Sequence, residues 1–368
     1  MSLSQNNTPD VLPALPVLVG MTTAELTAWV ESVGEKSFRG KQIAQWMYQK
    51  HVTEAADMSD LSKAFRLMLT EKTHVSPGKI KETVKSADGT TKFLIELLDG
   101  EIVECVTIVQ KNHLTACVSS QVGCNVGCPF CATGLSGFRR NLSAGEIVIQ
   151  YLLMQHAVAQ GLLSDFTPHT RISNLVFMGM GEPLLNYEPV LKSIALLNKE
   201  VELGLRHITI STSGIIPGIQ RLMDEKADYN LAISLHSVNT DVRNRLVPIN
   251  RKYGVTELLQ AAKLYANRTK RRITFEYTML KGTNTSDADA NALIKALRGI
   301  HCHINLIAYN PVNSPFQAPP RKEITHFQYL LTEAGFPVTI RNNHGSADMS
   351  ACGQLRVHQR EKELKTLA

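Results

Sequence analysis

Three cysteines near the middle of the chain have a spacing that suits metal chemistry. Cys124, Cys128 and Cys131 form the pattern C-x-x-x-C-x-x-C. A structural zinc ion or an ordinary iron–sulfur cluster takes four protein ligands, whereas three thiolates on a four-iron cluster leave one iron open to bind a small molecule. The spacing therefore favours a reactive cluster. The alternative is a zinc knuckle completed by a nearby His or Cys, such as Cys117.

The other cysteines carry no such pattern. Cys117 lies seven residues before Cys124, and Cys352 lies near the C-terminus within Ser-Ala-Cys-Gly-Gln-Leu. Unligated thiols in a reduced protein are most often inert buried residues. We expect that role for Cys105 and Cys302, because nothing in their surroundings points to chemistry.

Four short polar or glycine-rich motifs could line a binding site. Gly179 and Gly181 would let a ligand approach the backbone, and Glu182 could accept a hydrogen bond from an ammonium group. A simple strand-to-helix turn would have the same pattern. His236, taken alone, is more often a buried barrel residue than a ligand. The motifs cover residues 179–182, 211–214, 234–236 and 309–311.

Each of these motifs directly follows a predicted strand. Six successive strand–helix units after residue 113 imply a parallel sheet with right-handed crossovers, either doubly wound or curved into a partial barrel. Loops at the C-terminal ends of barrel strands share one mouth, so the position of the motifs favours the barrel. The predicted strands are 114–119, 173–178, 207–211, 231–235, 273–279 and 304–308, with 338–341 as an addition, and the predicted helices lie near 144–158, 188–200, 215–225, 256–267, 286–298 and 324–334.

The chain before the barrel has three parts. A proline-containing start without apolar periodicity predicts a flexible leader. A capping box of Thr22 and Glu25 opens a helical accessory domain, and Asp-Gly turns mark a β-meander. The predicted parts are the leader (1–20), the helical domain (21–78), the meander (79–112), the barrel (113–356) and a C-terminal tail (357–368).

The composition is that of a globular protein with a basic surface. The net charge is +6 and the pI is about 8.9, so nucleic acid is a reasonable partner, although charge runs are also common on solvated faces. We find no signal peptide and no apolar run long enough to span a membrane, which predicts a cytoplasmic protein with reduced cysteines. The basic clusters are Arg139 with Arg140, Arg243 with Arg245, Arg251 and Lys252, and Lys270 with Arg271 and Arg272.

The cysteine loop, with Phe130 before its last cysteine and Gly181-Glu182 after the next strand, resembles the radical S-adenosylmethionine (SAM) superfamily. This resemblance implies a [4Fe-4S] cluster on the three cysteines, with its open iron binding the amino and carboxylate groups of SAM. It also implies an α/β fold with a partial (β/α)6 TIM-like barrel. The implied cofactor contacts are Gly181, Glu182, Ser211, Ser234, Leu235, His236 and Asn310.

Three longer segments, 116–124, 179–186 and 351–355, resemble the RlmN/Cfr family of RNA adenine methyltransferases. The resemblance spans the whole chain. It implies methylation of carbon 2 of an adenosine in 23S ribosomal RNA (rRNA) and of the adenosine beside the tRNA anticodon. It also implies an electron donor such as flavodoxin, and a monomer is the default expectation.

The resemblance also implies roles for three residues outside the cluster. Carbon 2 of adenine is electron-poor and cannot attack the sulfonium methyl of SAM, so a radical is needed. Cys352 would carry the methyl group and bond transiently to the RNA, and Cys117 would release it by forming a transient disulfide with Cys352. Glu104 would accept the ring proton, although by itself it resembles an ordinary edge-strand glutamate.

Two alternatives remain open at this point. Family members that methylate carbon 8 usually have Ala where this chain has Pro183 and Cys where it has Val122. A non-catalytic RNA-binding protein could instead use the cysteines for a structural metal. The chain also departs from the family pattern after Gly345, because Ser346 and Ala347 precede Asp348 and place the acidic residue one position later.

Overall fold

The computed structural model describes residues 15–225, 228–341, 345 and 348–355. Most of the predicted leader, the predicted tail and the departure at Ser346 and Ala347 lie outside these residues. Within them the chain forms an N-terminal helical module and one large mixed sheet covered by helices.

The N-terminal module contains three helices. The Thr22 hydroxyl accepts a hydrogen bond from the backbone N–H of Glu25, and the Glu25 carboxylate accepts one from the backbone N–H of Thr22, which confirms the predicted capping box. The second helix of this module is α-helical at first and ends in a π-helical turn. The bounds are α1 (Thr23–Ser32), α2 (Phe38–Ala44) with the π-helical turn Gln45–Gln49, and α3 (Lys63–Lys72).

Residues 15–20 differ from the flexible leader that we expected there. Leu18 is fully buried, and its N–H donates to the His74 carbonyl at 2.9 Å. This segment also lies against a helix of the barrel, where a side chain at Gly145 would overlap the Val19 carbonyl oxygen. The absence of a side chain at Gly145 therefore lets the N-terminal module pack closely on the barrel.

The strands are β1 (Gly78–Lys85), β2 (Thr91–Leu97), β3 (Ile102–Gln110), β4 (His113–Cys117), β5 (Gln121–Gly123), β6 (Phe138–Asn141), β7 (Ile172–Phe177), β8 (Ile208–Thr212), β9 (Asn230–Ser234), β10 (Ile273–Met279), β11 (Cys302–Ala308) and β12 (Val338–Arg341).

The main sheet has the order β1-β2-β3-β4-β7-β8-β9-β10-β11-β12. The first four strands pair antiparallel, which extends the barrel sheet with the predicted meander. Its turns contain Gly89 and Gly100, with φ of 82° and 80°, as Asp-Gly turns require. From β4 onward all neighbouring strands are parallel.

Helices connect the parallel strands, as the alternation in the sequence predicted. The six strand–helix units confirm the α/β partial barrel, and β12 adds a seventh parallel strand. Ser143 and Glu146 form the capping box that opens the first of these helices. The helices are α4 (Ala132–Leu135), α5 (Ala144–Ala159), α6 (Tyr187–Lys199), α7 (Ile216–Asp224), α8 (Thr240–Leu246), α9 (Val255–Thr269), α10 (Asp287–Leu297) and α11 (Arg321–Glu333).

Four elements near the mouth of the barrel were not predicted. The short strands β5 and β6 pair as a small antiparallel sheet on either side of the cysteine loop, and α4 begins directly after Cys131. Helix α8 follows β9. These elements are too short to produce a clear hydrophobic period, which is why sequence patterns did not reveal them.

The core lies between the sheet and its helices. The strands bury alternate or consecutive apolar residues, and α5 is buried over most of its length because it contacts the meander as well as α6. In the part of the chain that the structure describes, every helix is too short or too polar to cross a lipid bilayer.

Candidate active site

A cavity lies at the C-terminal ends of the parallel strands. Nearly all the predicted cluster and cofactor residues line it, since the loops after β4, β7, β8, β9 and β11 open to the same side. Leu235 and Glu104 are exceptions: both are fully buried, and neither is part of this cavity wall. The predicted residues in the wall are Cys124, Cys128, Cys131, Gly181, Glu182, Ser211, Ser234, His236, Asn310 and Cys352.

The cysteine loop presents three free thiols to the cavity. Burial raises the pKa of Cys124 to about 12 and raises that of Cys128. Among the described residues, no three His, Cys, Asp or Glu side chains converge as a single metal ion would need. Three thiols on one loop can each bind a different iron of a four-iron cluster.

Local contacts hold the cysteine loop in place. The Cys124 N–H donates to the Gly137 carbonyl at 2.9 Å, which closes the loop between β5 and β6. The Phe130 ring packs edge-on against the His236 ring, with 5.0 Å between centroids. A small apolar cluster supports the loop and contains Val126, Phe130, Leu246, Val247, Leu280 and Tyr309. This cluster limits the access of water to the thiols.

Glu182 is buried beside the glycines that precede it. Its carboxylate accepts hydrogen bonds from the backbone N–H and the hydroxyl of Ser213, both at 2.7 Å. Burial raises the pKa of Glu182, although these hydrogen bonds oppose the shift. Gly181 has φ of 100°, and a side chain there would overlap Gln121. The carboxylate retains lone pairs that can accept hydrogen bonds from an ammonium group.

His236 has a fixed tautomer in this site. Its Nδ1 accepts a hydrogen bond from the Thr278 N–H at 3.0 Å, so the neutral ring carries its proton on Nε2. The residue has φ of 57°, and the Asn284 amide donates to its carbonyl at 2.7 Å. Burial lowers the pKa of His236 to about 3, and the charge of Arg243 adds to the shift.

The position of Arg243 contradicts part of our expectation that the basic clusters contact nucleic acid. It is fully buried, and its guanidinium donates to the carbonyls of Leu235, Ser213 and Ser234 at 3.0, 2.7 and 3.1 Å. Burial lowers the pKa of Arg243 to about 10. The side chain therefore joins two cofactor loops and cannot bind RNA. Arg243 and Leu246 lie three residues apart on one face of α8, and this spacing could have indicated that Arg243 is buried.

The other basic clusters are only partly available to a ligand. Arg140 pairs with Asp99 and Glu146, and Arg139 pairs with Glu101. The cluster 270–272 directly precedes β10 and therefore lies at the end of the barrel opposite the mouth. The exposed cations that remain near the mouth, beside the cavity residue Val247, are Arg245, Arg251 and Lys252.

Asn310 joins the cavity to the segment that carries Cys352. Its amide donates to the Cys352 carbonyl at 3.1 Å, while its Oδ1 is buried and has no hydrogen-bond partner in the described residues. The Ala132 N–H donates to the Gly353 carbonyl at 2.7 Å. The buried Oδ1 of Asn310 in the cavity wall can therefore accept a hydrogen bond from a ligand that carries a donor.

Cys117 and Cys352 line a second, smaller cavity that adjoins the first. Both are free thiols, and Cys352 is the exposed one of the two. Burial raises the pKa of Cys117 to about 12, and desolvation also raises the pKa of Cys352. The structure thus brings together two thiols that are far apart in the sequence.

Glu104 lies behind this region on β3 and forms an ion pair that the sequence did not reveal. Its Oε1 is 3.5 Å from the Lys92 ammonium, and both side chains are buried. Lys92 also donates to the carbonyls of Met349 and Asp348 at 3.1 and 3.4 Å. The meander therefore holds the segment before Cys352 through a buried charge.

Comparisons with known proteins agree with this architecture. The chain matches the ribosomal RNA large subunit methyltransferase N-terminal domain over residues 17–75 and the radical SAM superfamily over residues 118–294. A protein of Clostridium novyi named "Probable dual-specificity RNA methyltransferase RlmN" is 43% identical, covering 92% of this chain and 97% of that protein. A protein of the same name from Thermotoga neapolitana is 44% identical, covering 93% and 98%.

A solved structure of a related protein has the same fold. The crystal structure of a radical SAM methyltransferase from Sphaerobacter thermophilus superposes on this chain with a TM-score of 0.88. The two are 40% identical, and the match covers 93% of this chain and 99% of the other. The similarity therefore includes the N-terminal module and the meander as well as the barrel.

Proposed function

Because the chain belongs to the RlmN family of radical SAM methyltransferases, we propose that it methylates carbon 2 of adenine in 23S rRNA and in tRNA. The observation that carries this proposal is the position of Cys117 and Cys352 on one cavity beside the three-cysteine loop. Carbon 2 of adenine cannot act as a nucleophile, so its methylation needs a radical and a covalent carrier. The three-cysteine loop could hold the cluster that generates the radical, and Cys352 could be the carrier. RNA targets of this kind support a location in the cytoplasm.

We propose that Cys124, Cys128 and Cys131 hold a [4Fe-4S] cluster and that the wall formed by the strand-end loops holds SAM. When bound, these groups would supply the radical that activates the methyl group for transfer. Glu182 would accept hydrogen bonds from the SAM amino group. The three free thiols and the buried oxygen of Asn310 support this assignment.

The protein residues would then act in sequence. Cys352 accepts a methyl group on its sulfur. One hydrogen atom of this methyl group would go to the radical that the bound cofactors supply, its carbon would bond to the adenine, and one electron would return to the cluster. Glu104 takes the proton from the ring, for which its carboxylate must leave the buried pair with Lys92 and open to the cavity. The Cys117 thiolate attacks the sulfur of Cys352, the S–S bond forms, and the S–C bond breaks. The electron pair of the broken bond stays with the carbon, which takes up a proton and leaves as the methyl group of the product.

The RNA must present a single adenine to the mouth of the barrel. A base inside a duplex cannot reach a cavity wall, so the target has to be unstacked. The exposed residues Arg245, Arg251 and Lys252 lie beside the mouth and would contact phosphates. The N-terminal module and the meander would present the RNA.

The proposal is tested in a strain that lacks its own enzyme of this type. The strain is complemented with this chain, and its rRNA and tRNA are digested to nucleosides and analysed by mass spectrometry. We expect 2-methyladenosine from both RNAs, and none when Cys128→Ala replaces the wild type. Recovery of 8-methyladenosine would assign the chain to the carbon-8 reaction, and no methyladenosine at all would refute the proposal.

A further inference from the structure

The proposed thiol chemistry needs a thiolate at Cys117. A thiolate is the nucleophile in disulfide formation, and a protonated thiol reacts far more slowly. Cys117 is almost fully buried at the end of β4, and burial raises its pKa to about 12. The second cavity is otherwise lined mainly by apolar residues such as Val106, Ile108 and Ile307. A hydrogen bond from the Met178 backbone already lowers the pKa of Cys117, and a cation near the sulfur would favour the ionised form further.

Arg341 is placed to provide this charge. It is the last residue of β12, and it lines both the cofactor cavity and the cavity shared by Cys117 and Cys352. Of the described residues around the smaller cavity, Arg341 alone has a charged side chain. Its Nη1 donates to the sulfur of Met178 at 3.6 Å, and Met178 lines the same cavity. A guanidinium stays charged throughout the range in which thiols titrate.

The groups around Arg341 agree with this role. Burial acts against its charge, but Cys352, Glu276 and Cys117 raise the pKa of Arg341 above its usual value. Arg341 in turn opposes the effect of burial on the pKa of both thiols, Cys117 and Cys352. Glu276 lies on β10 and receives a hydrogen bond from Asn305 at 2.8 Å, and its charge disfavours the thiolate of Cys352.

We propose that Arg341 is a positioning residue that stabilises the Cys117 thiolate as it attacks the sulfur of Cys352. Its place in the reaction rests on the proposed function, whereas its effect on Cys117 does not. In the attack, the Cys117 thiolate supplies the electron pair of the new S–S bond, and the leaving group departs with the pair of the broken bond. No external oxidant is needed, because the group bonded to the sulfur of Cys352 takes the electron pair of the broken bond as it leaves.

The test uses the reconstituted holoenzyme without RNA or SAM, under anaerobic conditions. One equivalent of dithiobis(nitrobenzoate) converts exposed Cys352 into a mixed disulfide, and attack by Cys117 then releases a second thionitrobenzoate, which is followed by its absorbance across a pH series. Cys117→Ala gives the background. Arg341→Gln removes the charge and Arg341→Lys keeps it. Arg206→Gln removes an exposed charge just before β8, at the other end of a third cavity that Arg341 also lines.

We expect the second release at neutral pH to be slower in Arg341→Gln by about tenfold or more, with its pH profile moved to higher pH by about one unit or more. Arg341→Lys should recover most of the rate, and Arg206→Gln should match the wild type. A wild-type rate and profile in Arg341→Gln would overturn the proposal. An Arg341→Lys variant as slow as Arg341→Gln would also overturn it, because the shape of the side chain and not its charge would then determine the rate of release.

A second measurement connects this effect to the reaction. With RNA and SAM, Arg341→Gln should accumulate a covalent protein–RNA species, because its release by Cys117 is slowed. If the proposed function is wrong, neither Arg341→Gln nor Cys117→Ala will form this species, while the thionitrobenzoate assay will still report on Arg341. If Cys117→Ala forms it and Arg341→Gln does not, Arg341 has no part in release.

Discussion

Cys117 and Cys352 are two thiols with different surroundings on one cavity. Cys117 is buried at the end of a strand, whereas Cys352 is exposed in a segment held by Asn310 and Lys92. An exposed residue whose sulfur lies in the cavity wall suits the role that must reach both a cofactor and an RNA base. A buried sulfur suits a residue that reacts only with its neighbour.

Replacement of the two thiols should therefore give opposite results. Cys117→Ala should accumulate protein covalently bound to RNA. Without Cys117, no thiolate attacks the sulfur of Cys352, so the bond from this sulfur to the carbon that joins it to the adenine stays intact. Cys352→Ala should form no such species. Denaturing gels with labelled RNA, followed by mass spectrometry, measure both.

The matched control is Cys302→Ala, which removes a buried thiol of the strand β11 that lines neither cavity. It should behave like the wild type. If Cys117→Ala forms no covalent species while Cys302→Ala still methylates RNA, Cys117 is not the resolving thiol.

At the scale of elements, the meander is part of the site as well as of the fold. Strand β2 provides Lys92, strand β3 provides Glu104, and the turn between β1 and β2 provides Asp88, whose carboxylate accepts a hydrogen bond from the Gly345 N–H at 3.0 Å. Asp88 and Lys92 thus hold Gly345, Asp348 and Met349, which precede Cys352. The predicted meander thus has a function that its alternating pattern did not reveal.

The buried pair of Lys92 and Glu104 should contribute strongly to stability. Removing one partner of a buried ion pair leaves a charge in a poorly solvated place, so Lys92→Met should lower the free energy of unfolding by about 3 kcal/mol or more. Adding Glu104→Gln to Lys92→Met should recover part of this loss. Urea unfolding of the single and double variants gives the coupling energy.

Lys81→Met is the comparison on the neighbouring strand β1, because it breaks a partly exposed pair with Glu96. Such a pair contributes less than about 1 kcal/mol. Equal losses in Lys81→Met and Lys92→Met would show that the buried pair has no special contribution.

On the scale of the whole molecule, buried histidines make the fold sensitive to acid. The pKa of His236 is lowered to about 3 and that of His51 to about 4, in both cases chiefly by burial. Below the ordinary pKa near 6.5, the unfolded chain binds protons that the folded chain does not. Stability is therefore complete above that pH and falls as the pH decreases toward these values.

The contribution of His236 can be separated with His236→Asn in cluster-free protein, since Asn tolerates the positive φ of this position. From pH 7.5 to 5.5 the wild type should lose about 1.4 kcal/mol more stability than the variant. Urea unfolding at the two pH values measures this difference. His51→Asn should show a smaller effect in the same direction, because His51 is only half-buried and solvent screens its charge. An equal loss in wild type and both variants would contradict the assignment.

The alternation of strands and helices and the polar motifs after the strands were sufficient to predict a partial barrel with one mouth. The reason is physical: hydrophobic periods are local properties of the chain, and parallel strands place their C-terminal ends together. The same logic brought the cysteine loop and most cofactor residues to one cavity. It could not show that Leu235 is in the core or that residues 15–20 are packed.

What the sequence determined by itself was the chemistry: three cysteines with one ligand missing, two further thiols, and the segments around them. Only the tertiary structure decided which charges serve that chemistry. Arg243, Lys92 and Arg341 looked like any other basic residues, yet all three contact residues distant in the sequence. Burial and partner choice depend on long-range packing, and no local pattern records them.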